Sequence, residues 1–186
     1  NQGIRGRILW REEEIDATGR IMVTKNNYFF TQEYEGLDFL ANGDIFEVQR
    51  VHNEREMYGY RFADASLLSV DYDWEIDTIL WIDTLTTDSP DANYAMQKTL
   101  FSRIAEDYPE IHNNRDMWKK VMGNPYYNAL QVRFAYAVTC HKAQGGQWKH
   151  VYIDPGMVAD AELDASWVRW FYTAVTRATE QLFLLF

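Results

Sequence analysis

Thr139-Cys-His-Lys-Ala-Gln-Gly-Gly-Gln147 follows the apolar run Phe134-Ala-Tyr-Ala-Val138, and Trp170-Phe-Tyr-Thr-Ala-Val-Thr-Arg-Ala178 lies further along the chain. The first stretch predicts a buried strand over Phe134–Thr139 with a polar loop, Cys140 to Gln147, at its carboxyl end. Ligands of open α/β sheets bind at such ends. The loop brings a hydroxyl, an imidazole, an ammonium, two amides and two glycines that allow close approach, a set suited to phosphate oxygens. A polar turn that uses Gly only to change direction accounts for the same residues equally well. In the second stretch, an apolar helix end delivers Arg177 just before a strand. A lone Arg is usually a surface ion pair, here with an acid such as Glu180. Beside a phosphate loop it is an arginine finger, whose planar charge stabilises a transferring phosphoryl group.

Around these stretches, Val151-Tyr-Ile-Asp154 predicts a second strand, Leu163 to Ala178 a helix, and Leu182 to Phe186 a third strand. Strands alternating with helical pieces predict βαβ units and a parallel sheet. Upstream the pattern changes. Arg20-Ile-Met-Val-Thr24 is strand-like and Tyr28 to Ala41 a loop with aromatic anchors. Asn42-Gly-Asp44 signals a turn into a strand over Ile45–Val51, His52 to Glu56 reads as a polar turn, and Met57 to Val70 and Ile79 to Ile82 as further strands. Consecutive short strands predict a small β-barrel. Ser89-Pro-Asp91 starts a helix reaching about Asp107, and Arg115 to Met122 forms a second that Gly123-Asn-Pro125 ends. Residues 8–18 read as a helix or its frayed end.

Composition narrows the function. The 186 residues carry 18 basic and 28 acidic side chains. The acidity belongs to residues 42–130, with 8 basic and 16 acidic, whereas residues 131–186 are balanced at 5 and 5. A dominant phosphate-binding surface is therefore not expected, and a local groove in the balanced part is. Cys140 is the single cysteine, which excludes an intrachain disulfide or a cysteine zinc cluster and fits a reducing, cytoplasmic compartment. No apolar run is long enough to span a membrane. No Gly is followed by Lys, so the chain holds no P-loop. The alternating Asp71, Asp73, Glu75 and Asp77 would suit a metal-dependent nuclease if their carboxylates met on one face; the alternative is a solvated strand face. The start, without Met, is expected to lie inside a longer chain.

Together, A-Y-A-V-T-C-H-K-A-Q-G-G-Q-W and F-Y-T-A-V-T-R-A resemble the fifth and sixth motifs of superfamily-one DNA helicases, in the RecD-like branch of the exodeoxyribonuclease V alpha-subunit type. Met22-Val-Thr-Lys-Asn26 and Asn42-Gly-Asp-Ile-Phe-Glu-Val48 resemble that branch's stretch before its second motor lobe is interrupted.

The resemblance implies an α/β fold: a RecA-like second motor lobe with a parallel sheet. Residues 1–41 and 131–186 would form it, and a β-barrel-like and helical subdomain over 42–130 would interrupt it. ATP with Mg2+ would bind between this lobe and an N-terminal lobe that brings the P-loop and the metal carboxylate. Thr139, His141, Lys142 and Gln144 would contact the DNA backbone. Gly145, Gly146 and Gln147 would face the nucleotide, and Arg177 would be the catalytic finger. The family often has an acid or small residue where Gly146-Gln147 stands. Implied partners are single-stranded DNA, the N-terminal lobe of the same protein and helicase–nuclease subunits, in DNA repair and recombination, with no membrane. The other readings are a non-catalytic binding module derived from a helicase lobe, and a metal-dependent exonuclease on the acidic ladder.

Overall fold

The computed structural model describes all residues except 12, 33, 73, 88, 157–163 and 186, and of Pro90 only the backbone. The chain divides into two compact units, Asn1–Tyr136 and Ala137–Phe186.

In the first unit, five strands close a barrel: β1 (Arg20–Val23), β2 (Ile45–Met57), β3 (Tyr60–Ser69), β4 (Glu75–Trp81) and β5 (Leu130–Phe134). Neighbours are antiparallel except β4 and β5, which run parallel, and β5 returns to β1 to complete the ring. The parallel pair requires a crossover. A 3-10 turn (Ile82–Thr86), helix α1 (Pro90–Ala105) and helix α2 (Asn114–Met122) supply it. Ser89 caps α1, its hydroxyl accepting from the Ala92 N–H at 3.2 Å. Asn113 caps α2 through the Arg115 N–H.

Alternation along the strands builds two cores. Ala63, Ala65 and Leu67 of β3 and Leu80 of β4 point into the barrel with Val23, Phe46, Val48, Leu130 and Val132. Phe62 and Trp81 point to the other face, where they meet Leu100 and Ile104 of α1 and Val121 of α2. Thr84 ties the 3-10 turn to the last strand: its hydroxyl accepts from the Val132 N–H at 3.0 Å and lies 2.7 Å from the Trp81 carbonyl. Thr84 is 1% exposed. Thr84→Val should therefore cost about 1–3 kcal/mol, because it strands a buried N–H. Urea unfolding of the 186-residue chain checks this.

Several expectations are corrected here. The barrel is wider than residues 42–130, since β1 and β5, expected in the RecA-like lobe, each pair with two barrel neighbours. His52 to Glu56 is strand, not turn. One register shift, between His52 and Arg55, accommodates its polar residues, and Arg55 is held by both carboxylate oxygens of Asp64. The reversal falls at Tyr58-Gly59, both with positive φ. Among the described residues, 9–18 are not helical. A short π-helix (Ile4–Ile8) precedes them, and the buried Arg5 guanidinium donates to the carbonyls of Glu13 and Glu14. Nor does a strand cover Phe134–Thr139. Ala135 N–H makes the last ladder bond, to Arg20, and the Tyr136 hydroxyl then accepts from the Arg20 N–H, ending the strand.

The second unit is a βαβ piece: β6 (Trp148–Ile153), helix α3 (Ala165–Val175) and β7 (Ala178–Leu184), with β6 and β7 parallel. The parallel sense was expected; the sheet has two strands among the described residues. The end of the predicted third strand at Phe186 lies outside them. No described helix is long and apolar enough to cross a membrane.

Candidate nucleotide and strand-contact site

Within the second unit the two motif stretches meet. Residues 139–145 form overlapping turns in which the Thr139 carbonyl accepts from Lys142 and Ala143 N–H groups, at 2.9 and 3.1 Å. Gly145, with φ +87, reverses the chain in a conformation that side chains oppose. At Gly146 space decides instead: an added Cβ would lie 2.3 Å from the Trp148 ring. Gln147 then leads into β6.

Arg177 reaches this loop from the other side. Its Nη1 donates to the Gly146 carbonyl at 3.2 Å, Nε to the Thr173 carbonyl at 3.0 Å, and Nη2 contacts the Thr176 hydroxyl at 3.1 Å. All three acceptors are neutral. Glu180, the acid that would make Arg177 an ordinary surface pair, instead lies 3.3 Å from the Lys149 ammonium. Among the described residues the half-buried Arg177 guanidinium is thus oriented by neutral acceptors alone. The Trp148 N–H donates to the Arg177 carbonyl at 2.9 Å, which locks the two segments together at the backbone.

The loop and Arg177 both sit at the amino ends of β6 and β7, not at a strand's carboxyl end as the sequence suggested. The reason is the early end of β5: no strand leads directly into Thr139. Thr139, His141, Lys142, Gln144, Gly145 and Gln147 are exposed, and Gly146 is half-buried. Cys140 is half-buried with its thiol 3.5 Å from the Trp170 carbonyl, so it packs between loop and helix. The structure joins Arg177 to Gly146; it does not join the side chains of His141 or Gln144 to that pair. Thr173 and Thr176, which hold the guanidinium, were not singled out from sequence. Thr173 acts through its backbone carbonyl, which no residue type announces in a sequence.

Helix α3 ends two residues before Arg177 and is capped at its start by Asp164, whose carboxylate accepts from the N–H groups of Ser166 and Trp167 at 2.8 and 2.9 Å. Those bonds, the one from Trp167 foremost, hold Asp164 below the usual carboxylate range. A carboxylate lowered by folding stabilises fully above its unfolded pKa and loses that contribution as pH falls through the folded value. The helix end should therefore loosen only below the ordinary Asp range, and Asp164→Asn should flatten this acid limb. Far-UV circular dichroism during acid titration of both proteins checks it.

Of the acidic ladder, Asp73 lies outside the described residues. Asp77 accepts from the Ser66 hydroxyl at 2.6 Å, and Asp71 lies in the turn after β3. Among the described residues no three His, Cys, Asp or Glu side chains gather as a metal site.

Residues 134–185 match the family model of the UvrD-like helicase C-terminal domain. This segment therefore is similar to the C-terminal domain of a superfamily-one helicase. Among solved structures, the Pif1 helicase from Candida albicans aligns with 92% of this chain and 32% of its own, at 14% identity and a TM-score of 0.42. The chain thus spans about a third of that protein. No curated protein matches the chain.

Proposed function

We propose that this chain belongs to the C-terminal motor lobe of an ATP-dependent DNA helicase of the RecD-like branch, its sequence interrupted by barrel-forming residues. The observation that carries the reading is the approach of Arg177 to the Gly146 loop, with only neutral hydrogen-bond partners among the described residues. An arginine finger has to be oriented before the phosphate arrives and must not be neutralised by a carboxylate. The Thr173 carbonyl, the Thr176 hydroxyl and the Gly146 carbonyl meet both demands. The match of residues 134–185 to a helicase C-terminal domain supports the same reading.

In this function ATP binds with Mg2+ against an N-terminal lobe that contributes the P-loop and metal carboxylate. Gly145, Gly146 and Gln147 border the nucleotide, and Arg177 compensates the charge that develops on the γ-phosphoryl group. Thr139, His141, Lys142 and Gln144 form the exposed rim that meets the single-stranded DNA backbone. One loop then touches both strand and nucleotide, so closure of the lobes couples hydrolysis to movement on the strand. Helicase–nuclease subunits and roles in repair and recombination belong to the RecD-like part of the proposal.

The test is catalytic separation. The purified 186-residue chain should turn over no ATP, because it has no P-loop, and should bind single-stranded DNA weakly and with steep salt dependence. The full-length protein should hydrolyse ATP and be stimulated by single-stranded DNA. ATP turnover by the 186-residue chain alone, or a full-length protein without turnover, overturns the proposal in favour of a non-catalytic module.

A further inference from the structure

Far from Arg177 in sequence, the barrel unit contains a cavity of about 320 Å³ between the loop after β1, the crossover helices and β5. None of the described residues lining it is acidic, although 28 of the 186 residues are Asp or Glu. Its cation is Lys25. The Lys25 ammonium donates to the Gln97 side-chain oxygen at 2.8 Å and has no carboxylate partner among the described residues. Lys25 is exposed, and partial desolvation beside the cavity lowers its pKa.

A second, independent feature points into the same space. Gln131 is 7% exposed. Its neighbours Leu130 and Val132 face the barrel interior, so its own side chain faces outward onto the cavity wall. The backbone carbonyl of Gln131 is taken by Thr24, at 2.9 and 3.1 Å, but its side-chain amide has no hydrogen-bond partner among the described residues. The amide meets solvent rather than protein, so a ligand in the cavity can take up its hydrogen-bonding capacity. Here the open side is the cavity. Tyr28 and Tyr127 contribute flat aromatic surface to the wall, and Asn26 another amide.

One ammonium matches one phosphate. Amides, which donate and accept side by side, match the edge of a base. Aromatic faces match its plane. The volume suits one such unit. An acidic peptide would use the ammonium but would leave the amides and rings unused. We propose that this cavity binds one nucleoside 5′-phosphate unit, with Lys25 on the phosphate and Gln131 on the base edge. The site lies in the barrel unit and stands independently of the motor reading.

The test uses the 186-residue chain with ¹³C-methyl methionine, because Met122 lines the cavity and reports occupancy without any substitution there. Its resonance, assigned through Met122→Leu, should shift saturably with deoxythymidine or deoxyadenosine monophosphate and with a twelve-nucleotide single strand. Tighter binding of the strand than of the mononucleotide identifies a strand as the source; equal affinity identifies a free nucleotide. Lys25→Gln should weaken strand binding about tenfold and lower the salt slope by about one. Gln131→Leu should weaken nucleotide binding and leave the response to inorganic phosphate alone unchanged. The proposal is overturned if millimolar nucleotide and strand leave Met122 unmoved. It is also overturned if inorganic phosphate or a glutamate peptide moves Met122 as far, or if Lys25→Gln keeps affinity and salt slope. Steady-state ATPase of the full-length protein tests the motor reading separately, so the two can fail independently.

Discussion

Arg177→Ala in the full-length protein should reduce ATP turnover by about 10³ or more, the scale on which arginine fingers act. Folding should survive, because the guanidinium is half-buried and supports no core side chain; it hydrogen-bonds a loop carbonyl, a helix carbonyl and a hydroxyl. Single-stranded DNA binding should change little, since the exposed rim residues Thr139 to Gln144 remain. Arg177→Lys should restore little of the rate. An ammonium is a point charge and cannot span two phosphate oxygens as a planar fork does. It would also lose the three-way cradle that orients the guanidinium. If Arg177 served only to brace the Gly146 loop, both variants would keep most of their turnover.

The largest stability effect is expected at Phe62. It is fully buried on the outer face of the barrel, with its ring 5.1 Å from Tyr126 and 5.8 Å from Trp81. Leu100, Ile104 and Val121 pack in the same cluster. Phe62→Ala removes the ring that fastens the crossover helices to the barrel and leaves a cavity with rigid walls. The expected cost is about 3–5 kcal/mol. Phe62→Leu should recover most of it, because volume is largely kept. Guanidinium unfolding of the 186-residue chain, followed by tryptophan fluorescence, measures both. A loss below 1 kcal/mol for the alanine variant would mean that the helices pack loosely on the barrel.

Local signals in this sequence were strong where chemistry is local. Ser89-Pro90 announces a helix start because the Ser89 hydroxyl caps a nearby N–H group. The parallel sense of β6 and β7 follows from a helix between two apolar runs. A small barrel was legible from the consecutive strands, but the membership of β1 and β5 in it was not. The pairing of Ile21 with both Phe46 and Phe134 joins residues far apart in sequence, and no local pattern encodes it. The run from Phe134 to Val138 shows the limit well. Its apolar composition reads as strand, yet the ladder ends where the Tyr136 hydroxyl takes the Arg20 N–H. For the candidate site, the loop and Arg177 were visible as residue types in order. Their meeting at 3.2 Å, and the neutral company Arg177 keeps there, are tertiary facts. The Lys25 cavity left no trace in the sequence, since its walls come from four separated segments.

The central claim is that one loop serves the strand while Arg177 serves the nucleotide. Titrating single-stranded DNA into steady-state ATPase assays of the full-length protein tests this directly, with Thr139→Ala beside Arg177→Ala. Arg177→Ala should lose the plateau, while its DNA binding, measured separately, stays near that of the unaltered protein. Thr139→Ala should need more DNA for half-stimulation and lose stimulated turnover more than basal turnover. An Arg177→Ala curve that reaches the unaltered plateau would contradict the claim.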